Sequence, residues 1–470
     1  MTLTTIDELI RLGHENAVAL FHRAAGGIAA YSDFLKRHAF DPKSVNSPAD
    51  FQRVPISSKE NYIERYPLEE LVWNRNLGNA TMIHSSSGTS GKPYYWPCTD
   101  EELKRSMTIY ETVFRGGFDV GGKYQKTLLV VCFGMGTWIA GSYTTAATML
   151  LRLQGLPVTI VTPGFNRLEA LGLMHDLGLS FDQVILAGIP SFIKDLLDEW
   201  SQIRPNNFPR IGVLLAGEGF PESWRDHVAG AIGGDSHDVI SLLGSADAGL
   251  IGFESEQSIA LRKSMVNDES LRRSLLHSDR VPGVLHFDPC HRFLEASNSG
   301  QLLLTADRTI PLIRYDTMDV GGILPSSVLQ DILPTQRDDQ AKVNLPLMYL
   351  FGRGAKSATL YGANIHAEWI QEFLVESRVS ECTSGRFCLE TGWLANQNQQ
   401  LVVRFELARE FNPIGNEDAA WAESLAKLLR SRSTEYARIC QEYGERADPK
   451  ITLHPYASSE YFPAIQRKCS

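Results

Sequence analysis

Residues 85–93 read Ser85-Ser86-Ser87-Gly88-Thr89-Ser90-Gly91-Lys92-Pro93, a run of hydroxyls and glycines closed by one lysine. Glycine lets successive backbone N–H groups turn toward one anion, Ser and Thr add hydroxyl donors, and Lys92 brings a countercharge, so the run suits phosphate. A loop of the G-x-x-x-x-G-K-[ST] kind opens straight into a helix, whereas here two residues separate Gly88 from Gly91 and Pro93 follows the lysine. Pro93 drives Lys92 out of the α region, and Tyr94-Tyr95-Trp96 reads as the start of a strand. The run therefore joins two strands, and a P-loop kinase or GTPase is disfavoured. A polar surface turn is the other reading of a Ser/Gly cluster, but seven such residues before one lysine exceed what a turn needs.

Downstream, Thr127 to Leu151 carries no charge and is long enough to span a bilayer. Gly134, Gly136 and Gly141 divide it and Thr, Ser and Tyr fill its middle, so it parses instead as a buried strand (Leu128–Phe133), a glycine loop and a packed helix. A second strand, Pro157–Val161, follows the helix stop at Gln154-Gly155 and completes a βαβ unit. The rhythm continues with a strand at Val184–Leu186, a helix at Ser191–Trp200, a strand at Ile211–Leu215, a helix at Pro221–Ala231 and a strand at Val239–Leu243. Continuous apolar strands alternating with amphipathic helices predict an α/β class: a large N-terminal domain with a parallel sheet and flanking helices, its ligands at the strands' carboxyl ends. From Lys356 onward the pattern changes to a hairpin-like pair (Arg386–Leu389, Leu401–Leu407), a helix from about Glu417 to Tyr443 and a last strand at Ile451–His454. This predicts a small C-terminal α+β domain, so the chain divides into 1–352 and 353–470, with residues 325–346 as a surface loop.

Composition narrows the function classes. With 55 acidic against 45 basic residues, a formal net charge of -10, the chain has no basic surface for nucleic acid. The seven cysteines are scattered and form no C-x-x-C pair, so neither a disulfide framework nor a zinc site is favoured, and a cytoplasmic location is expected. Met1 to Leu20 carries acids and a histidine among its apolar residues and is no signal peptide, and no membrane association is expected.

Three segments follow the strands. Gly217-Glu218-Gly219 comes after one strand and before a helix begun by Pro221, where free backbone N–H groups meet an anion or a nucleobase edge, or simply make a βα turn. Leu243-Gly244-Ser245-Ala246-Asp247 comes after the next strand, and Arg314-Tyr315-Asp316-Thr317-Met318-Asp319 lies further on. Together with the 85–93 run these segments resemble the motifs of the adenylate-forming superfamily, which activates carboxylic acids as acyl-AMP, and in particular its phenylacetate-CoA ligase-like branch. The stretch from Phe51 to Tyr62, with Pro55-Ile56-Ser57-Ser58-Lys59, resembles the same branch.

The resemblance implies roles. Ser86, Ser87, Gly88, Thr89, Ser90, Gly91 and Lys92 would hold the ATP phosphates. Gly244, Ser245 and Ala246 would lie along the nucleotide, with Leu243 in place of the usual aromatic. Asp247, in place of the usual glutamate, would help hold Mg2+. Asp319 would take the ribose hydroxyls, with Met318 where glycine is usual. Arg353 would reach the nucleotide from a hinge beside a small mobile domain, with Ala355 where an acid is usual. Phe133, Gly134, Gly136 and Trp138 would line an acid pocket suited to an aromatic or apolar acid, or else pack in the core. Lys468 would be the terminal lysine that, with Lys92, offsets charge during adenylation, or else a solvated tail residue beside Gln466. The implied reaction is ATP-dependent formation of acyl-AMP with release of pyrophosphate, then transfer to CoA, a carrier protein or an amine. A nucleotide-binding module without catalysis is the reading from another class. Neither the acid, the acceptor nor the oligomeric state is selected by the residues.

Overall fold

The computed structural model describes residues 5–86, 93–328, 343–353, 357–376, 379–409, 411, 417–457 and 461–462. They fall into two compact units, Met1–Ser86 with Tyr95–Gly352 and Ser87–Tyr94 with Arg353–Ser470.

The first unit opens with helix α1 (Ile6–Gly27), started by Thr5, whose hydroxyl accepts from the Glu8 N–H at 3.2 Å. Its apolar Ala17, Leu20, Phe21 and Ala24 recur at helical spacing and are all buried. Strands β1 (Met82–Ser86) and β2 (Tyr94–Cys98) pair as a two-stranded sheet, so the 85–93 run joins two strands as expected.

An eleven-stranded sheet dominates the unit, and its parallel half is the predicted one. It contains β3 (Thr127–Cys132), β4 (Val158–Val161), β5 (Gln183–Gly188), β6 (Arg210–Leu215) and β7 (Val239–Ser245), ordered β7-β6-β5-β3-β4 and parallel throughout. Every residue of β3 and β5 is buried, because helices such as α2 (Ile139–Leu153) and α3 (Pro190–Ile203) cover the faces. Each fully buried Val, Leu or Ile contributes roughly 1.5–3 kcal/mol. The uncharged stretch of residues 127–151 is thus β3, a loop and α2. Among the described residues no helix is long and apolar enough to cross a membrane.

The other half departs from the parallel expectation. After β7 the chain turns straight back at residues 246–248 into β8 (Gly249–Phe253), which pairs antiparallel with β7. Strands β9 (Gly283–Phe287), β10 (Arg292–Ala296), β11 (Gln301–Ala306), β12 (Leu312–Ile323) and β13 (Leu347–Arg353) complete a mixed sheet in the order β10-β11-β12-β13-β9-β8-β7. The reversal needs a residue in the left-handed region, and Gly249 supplies it with φ +68°. Of the predicted 325–346 surface loop, residues 329–342 lie outside the described residues. The flanking Leu324 and Val328 are buried beside Leu347.

In the second unit β14 (Ser357–Leu360) and β15 (Ala363–His366) form a hairpin across Tyr361-Gly362, both at positive φ. Strands β16 (Thr383–Trp393) and β17 (Gln399–Leu407) pair antiparallel, and β18 (Lys450–His454) joins β17 in parallel. The predicted helix from 417 to 443 is two, α4 (Glu417–Arg432) and α5 (Thr434–Tyr443). Ser433 breaks it: extended there, it turns its hydroxyl to accept from the Tyr436 N–H at 3.1 Å.

Candidate functional site

The 133–138, 217–219 and 243–247 segments lie at the carboxyl ends of β3, β6 and β7, as expected of a parallel sheet, whereas Arg314–Asp319 lies within β12. What joins them is the Pro55–Lys59 stretch. Arg314 of β12 donates to the carbonyls of Gln52 and Val54 and to Glu295 at 2.8 Å, which pins this stretch against the strand. Ser57 then pairs with β12: its N–H donates to the Arg314 carbonyl at 3.2 Å, its carbonyl accepts from Asp316 at 2.8 Å, and its hydroxyl donates to the Ile313 carbonyl at 2.8 Å. Two residues on, the Lys59 ammonium lies 3.5 Å from the Ser86 hydroxyl, which also accepts from the Trp96 indole at 2.9 Å. A cation thus stands where β1 enters the hydroxyl-rich run.

On the other side of Ser57, Tyr315 reaches the turn after β7. Its hydroxyl donates to Asp247 Oδ2 at 2.9 Å, while Oδ1 accepts from the Ala248 N–H at 2.9 Å and from the Ser245 hydroxyl. The carboxylate is a hard oxygen donor of the kind magnesium takes alongside substrate phosphates. Among the described residues no group of three or more His, Cys, Asp or Glu could hold a metal ion, so the cation would rely on one carboxylate plus the nucleotide. Asp247 lies in a hairpin turn, and Gly244 and Ser245 are still within β7.

Asp319 sits in a bulge. Gln301 of β11 pairs with Val320 and Leu303 with Asp316, so one residue of β11, Leu302, faces three of β12, Thr317 to Asp319. The surplus residues bend the strand and re-aim its side chains. Met318 takes φ +67°, the conformation glycine would adopt freely, and its N–H is held by Asp316 Oδ1 at 2.8 Å.

The loop after β3 is tied to β1. Ser85 donates through its N–H to the Thr137 carbonyl at 2.9 Å and through its hydroxyl to Thr137 Oγ1 at 2.8 Å. Gly141 lets α2 approach this loop, since a Cβ there would meet the Gly134 carbonyl at 2.5 Å. Of the expected acid-pocket residues, Phe133 belongs to the buried core and Gly134 is buried, whereas Gly136 and Trp138 are exposed with Met135. For Phe133 this is the core-packing alternative, in one buried cluster with Leu129 and Tyr143.

After β6, Gly217 (φ +91°) and Gly219 are exposed, but Glu218 is buried and accepts from the Ser191 hydroxyl at 2.8 Å and N–H at 3.3 Å. The segment therefore presents backbone rather than its acid. Behind it Arg225 and Arg262 pair with Glu222 and Glu254, and Arg262 also donates to the Phe220 carbonyl. This buried charge network fixes where the loop ends.

A second buried cluster backs β1 and the Asp247 turn. Glu102 pairs with Arg308 at 3.3 Å and accepts from the Thr309 N–H at 2.6 Å, and the Arg308 guanidinium lies against Gly249. Burial, aided by Arg308, lowers the His84 pKa to about 4, so this imidazole is neutral at ordinary pH. Burial raises the Cys98 thiol to about 11, which keeps it protonated and unreactive.

Ser87, Gly88, Thr89, Ser90, Gly91, Lys92 and Lys468, with Gln466 and Ala355, lie outside the described residues. Arg353 ends β13, and its side chain is likewise outside them. Sequence reasoning missed Arg314, Lys59 and the Tyr315 hydroxyl. The signal for Lys59 was the single lysine of the quoted Pro55–Lys59 stretch.

The fold is similar to that of a CoA ligase of known structure, and the sequence to ligases of the same kind. The description GH3 family N-terminal domain matches residues 28–137. The chain is 23% identical over 214 residues to the phenylacetate-coenzyme A ligase of Thermus thermophilus, covering 45% of this chain and 45% of that protein's length. It is 22% identical over 354 residues to the phenylacetate-coenzyme A ligase of Aromatoleum evansii, covering 73% of this chain and 70% of the relative. A crystal structure of 2-hydroxyisobutyryl-CoA ligase in complex with 2-HIB-AMP and CoA superposes with TM-score 0.60 at 16% identity, covering 99% of this chain and 89% of that one. In sequence the chain is thus similar to phenylacetate-CoA ligases, and in fold to 2-hydroxyisobutyryl-CoA ligase.

Proposed function

We propose that this protein is an ATP-dependent acid–thiol ligase that activates a carboxylic acid as acyl-AMP and passes the acyl group to CoA. The observation that carries the reading is the chain of contacts from Ser86 through Lys59 and Ser57 to Tyr315 and Asp247, which brings three sequence-distant segments to one rim. The names of the relatives supply the class of acid and acceptor.

In the first half-reaction a carboxylate oxygen of the acid attacks the α-phosphorus, and the bond to the bridging oxygen breaks as pyrophosphate leaves. In the second, the CoA sulfur attacks the acyl carbon, its proton is lost to solvent, and the carbon–oxygen bond to AMP breaks. The protein's share is to hold and orient charge rather than to form a covalent bond. Lys59 and Ser86 face the β- and γ-phosphates, and residues 87–92 enter on their sequence motif. Asp319 accepts from the ribose hydroxyls, since one carboxylate can take two vicinal donors. The exposed backbone at Gly217 and Gly219 meets the nucleotide, and Gly136 and Trp138 border the acid. Mg2+, held through Asp247 and the phosphates, would offset their charge when bound. Arg353, Lys92 and Lys468 enter this reading on their sequence motifs. A cytoplasmic location fits these substrates.

The test is acid-dependent exchange of labelled pyrophosphate into ATP across a panel of aryl and aliphatic acids, followed by mass analysis of the product with and without CoA. Exchange with at least one acid and a thioester only when CoA is present are expected. No exchange with any acid would overturn the ligase reading and favour a nucleotide-binding module. An acyl product formed on an amine or a carrier protein in place of CoA would overturn the acceptor.

A further inference from the structure

The Tyr315 hydroxyl lies on the side of the Asp247 carboxylate away from the turn's own donors. Tyr315 is 2% exposed and fixed by its strand neighbours: its backbone pairs with Leu304 of β11 and bridges to Ser57. Its ring has little room to move, so the hydroxyl is delivered to Asp247 Oδ2 from a rigid sheet, 68 residues away in sequence. Of the other two donors, Ala248 belongs to the turn itself and Ser245 ends β7.

Resting on the ligase reading, we propose that Tyr315 is a positioning residue for the metal–triphosphate site: its hydroxyl sets the rotation of the Asp247 carboxylate and so the place where the bound cation and the phosphates it carries must sit. Hydrogen-bond partners behind metal ligands typically count for 10–100-fold in metal affinity. Tyr315→Phe removes the donor and keeps the ring, so packing in β12 is retained.

The test uses the full chain with Mn2+ as probe and ATP present, following bound Mn2+ by electron paramagnetic resonance. Tyr315→Phe should weaken Mn2+ binding about 10-fold, raise the Mg2+ concentration for half-maximal pyrophosphate exchange by a similar factor, and restore most of the rate at saturating Mg2+. In an Asp247→Asn background the same change should add nothing further. A lowered thermal midpoint with unchanged metal dependence, or losses that add to those of Asp247→Asn, would overturn the inference and leave the ligase reading intact. Should the phenylalanine variant not fold, 3-fluorotyrosine at position 315 alters only donor strength, and an unchanged Mn2+ constant would overturn the inference. If the parent binds Mn2+ and ATP not at all, the ligase reading fails and the inference with it.

Discussion

Gly249→Ala tests how the Asp247 turn is supported. The residue has φ +68°, which costs an L side chain about 1–2 kcal/mol. The added Cβ would sit 2.0 Å from Arg308 Nη1, so the guanidinium must retreat by about 1.4 Å (3.4 − 2.0) to reach ordinary contact. Arg308 cannot retreat cheaply, because it is 4% exposed and paired at 3.3 Å with Glu102, itself 5% exposed. Breaking a buried pair outright costs about 3–5 kcal/mol, so partial loss plus the dihedral term gives roughly 4 kcal/mol in all. Gly136→Ala is the control: φ is +81° but nothing lies within 4 Å of its Cβ, so only about 1–2 kcal/mol is expected. Urea unfolding followed by tryptophan fluorescence reads both. In an Arg308→Met background, Gly249→Ala should cost little more than the dihedral term. A Gly249→Ala variant no less stable than Gly136→Ala would refute this account of the turn.

Three further outcomes are expected. Met318→Gly should raise the thermal midpoint, because relief of about 1–2 kcal/mol of left-handed strain exceeds the roughly 0.5–1 kcal/mol that glycine loses in chain entropy; a lower midpoint would count against the bulge geometry. Lys59→Met should raise the KM for ATP by about 10-fold, the scale of one charge-assisted hydrogen bond, and leave stability nearly unchanged, since the ammonium faces a hydroxyl at the phosphate end of β1. An unchanged KM would remove Lys59 from the phosphate site. Burial lowers both His84 and His286 to about 4, so between the ordinary 6.5 and about 4 the unfolded chain binds more protons. Stability should therefore be fully present above pH 6.5, fall as the pH drops through that window and level off below about 4. His286→Gln, which keeps a donor for the Leu345 carbonyl, should lose part of that slope, and a chevron-derived stability flat across the window would contradict the assignment.

The parallel half of the large sheet was legible because runs such as Leu128–Val131 and Val184–Leu186 can only be strands buried on both faces, and each is followed by a helix. The strand–loop–strand setting of residues 85–93 followed from Pro93 and the strand-like Tyr94-Tyr95-Trp96 after it. The antiparallel half was not legible: its reversal at residues 246–248 depends on one glycine whose φ no local pattern announces. The bulge that displaces Asp319 arises from register between β11 and β12, a long-range property. The contact from Tyr315 to Asp247 spans two motifs that sequence reading treats as separate. Phe133 stayed open between pocket and core in sequence, because an aromatic at the end of a buried strand reads alike as either. The break between α4 and α5 was readable in principle, since Ser433 is a good N-cap residue inside an otherwise continuous helical pattern.

The central claim is that a carboxylate oxygen becomes bonded to the α-phosphorus. An acid that supports pyrophosphate exchange, carrying heavy oxygen in its carboxylate, should yield AMP with one heavy oxygen when CoA discharges the intermediate. Unlabelled AMP, or label recovered in inorganic phosphate alongside ADP, would contradict it.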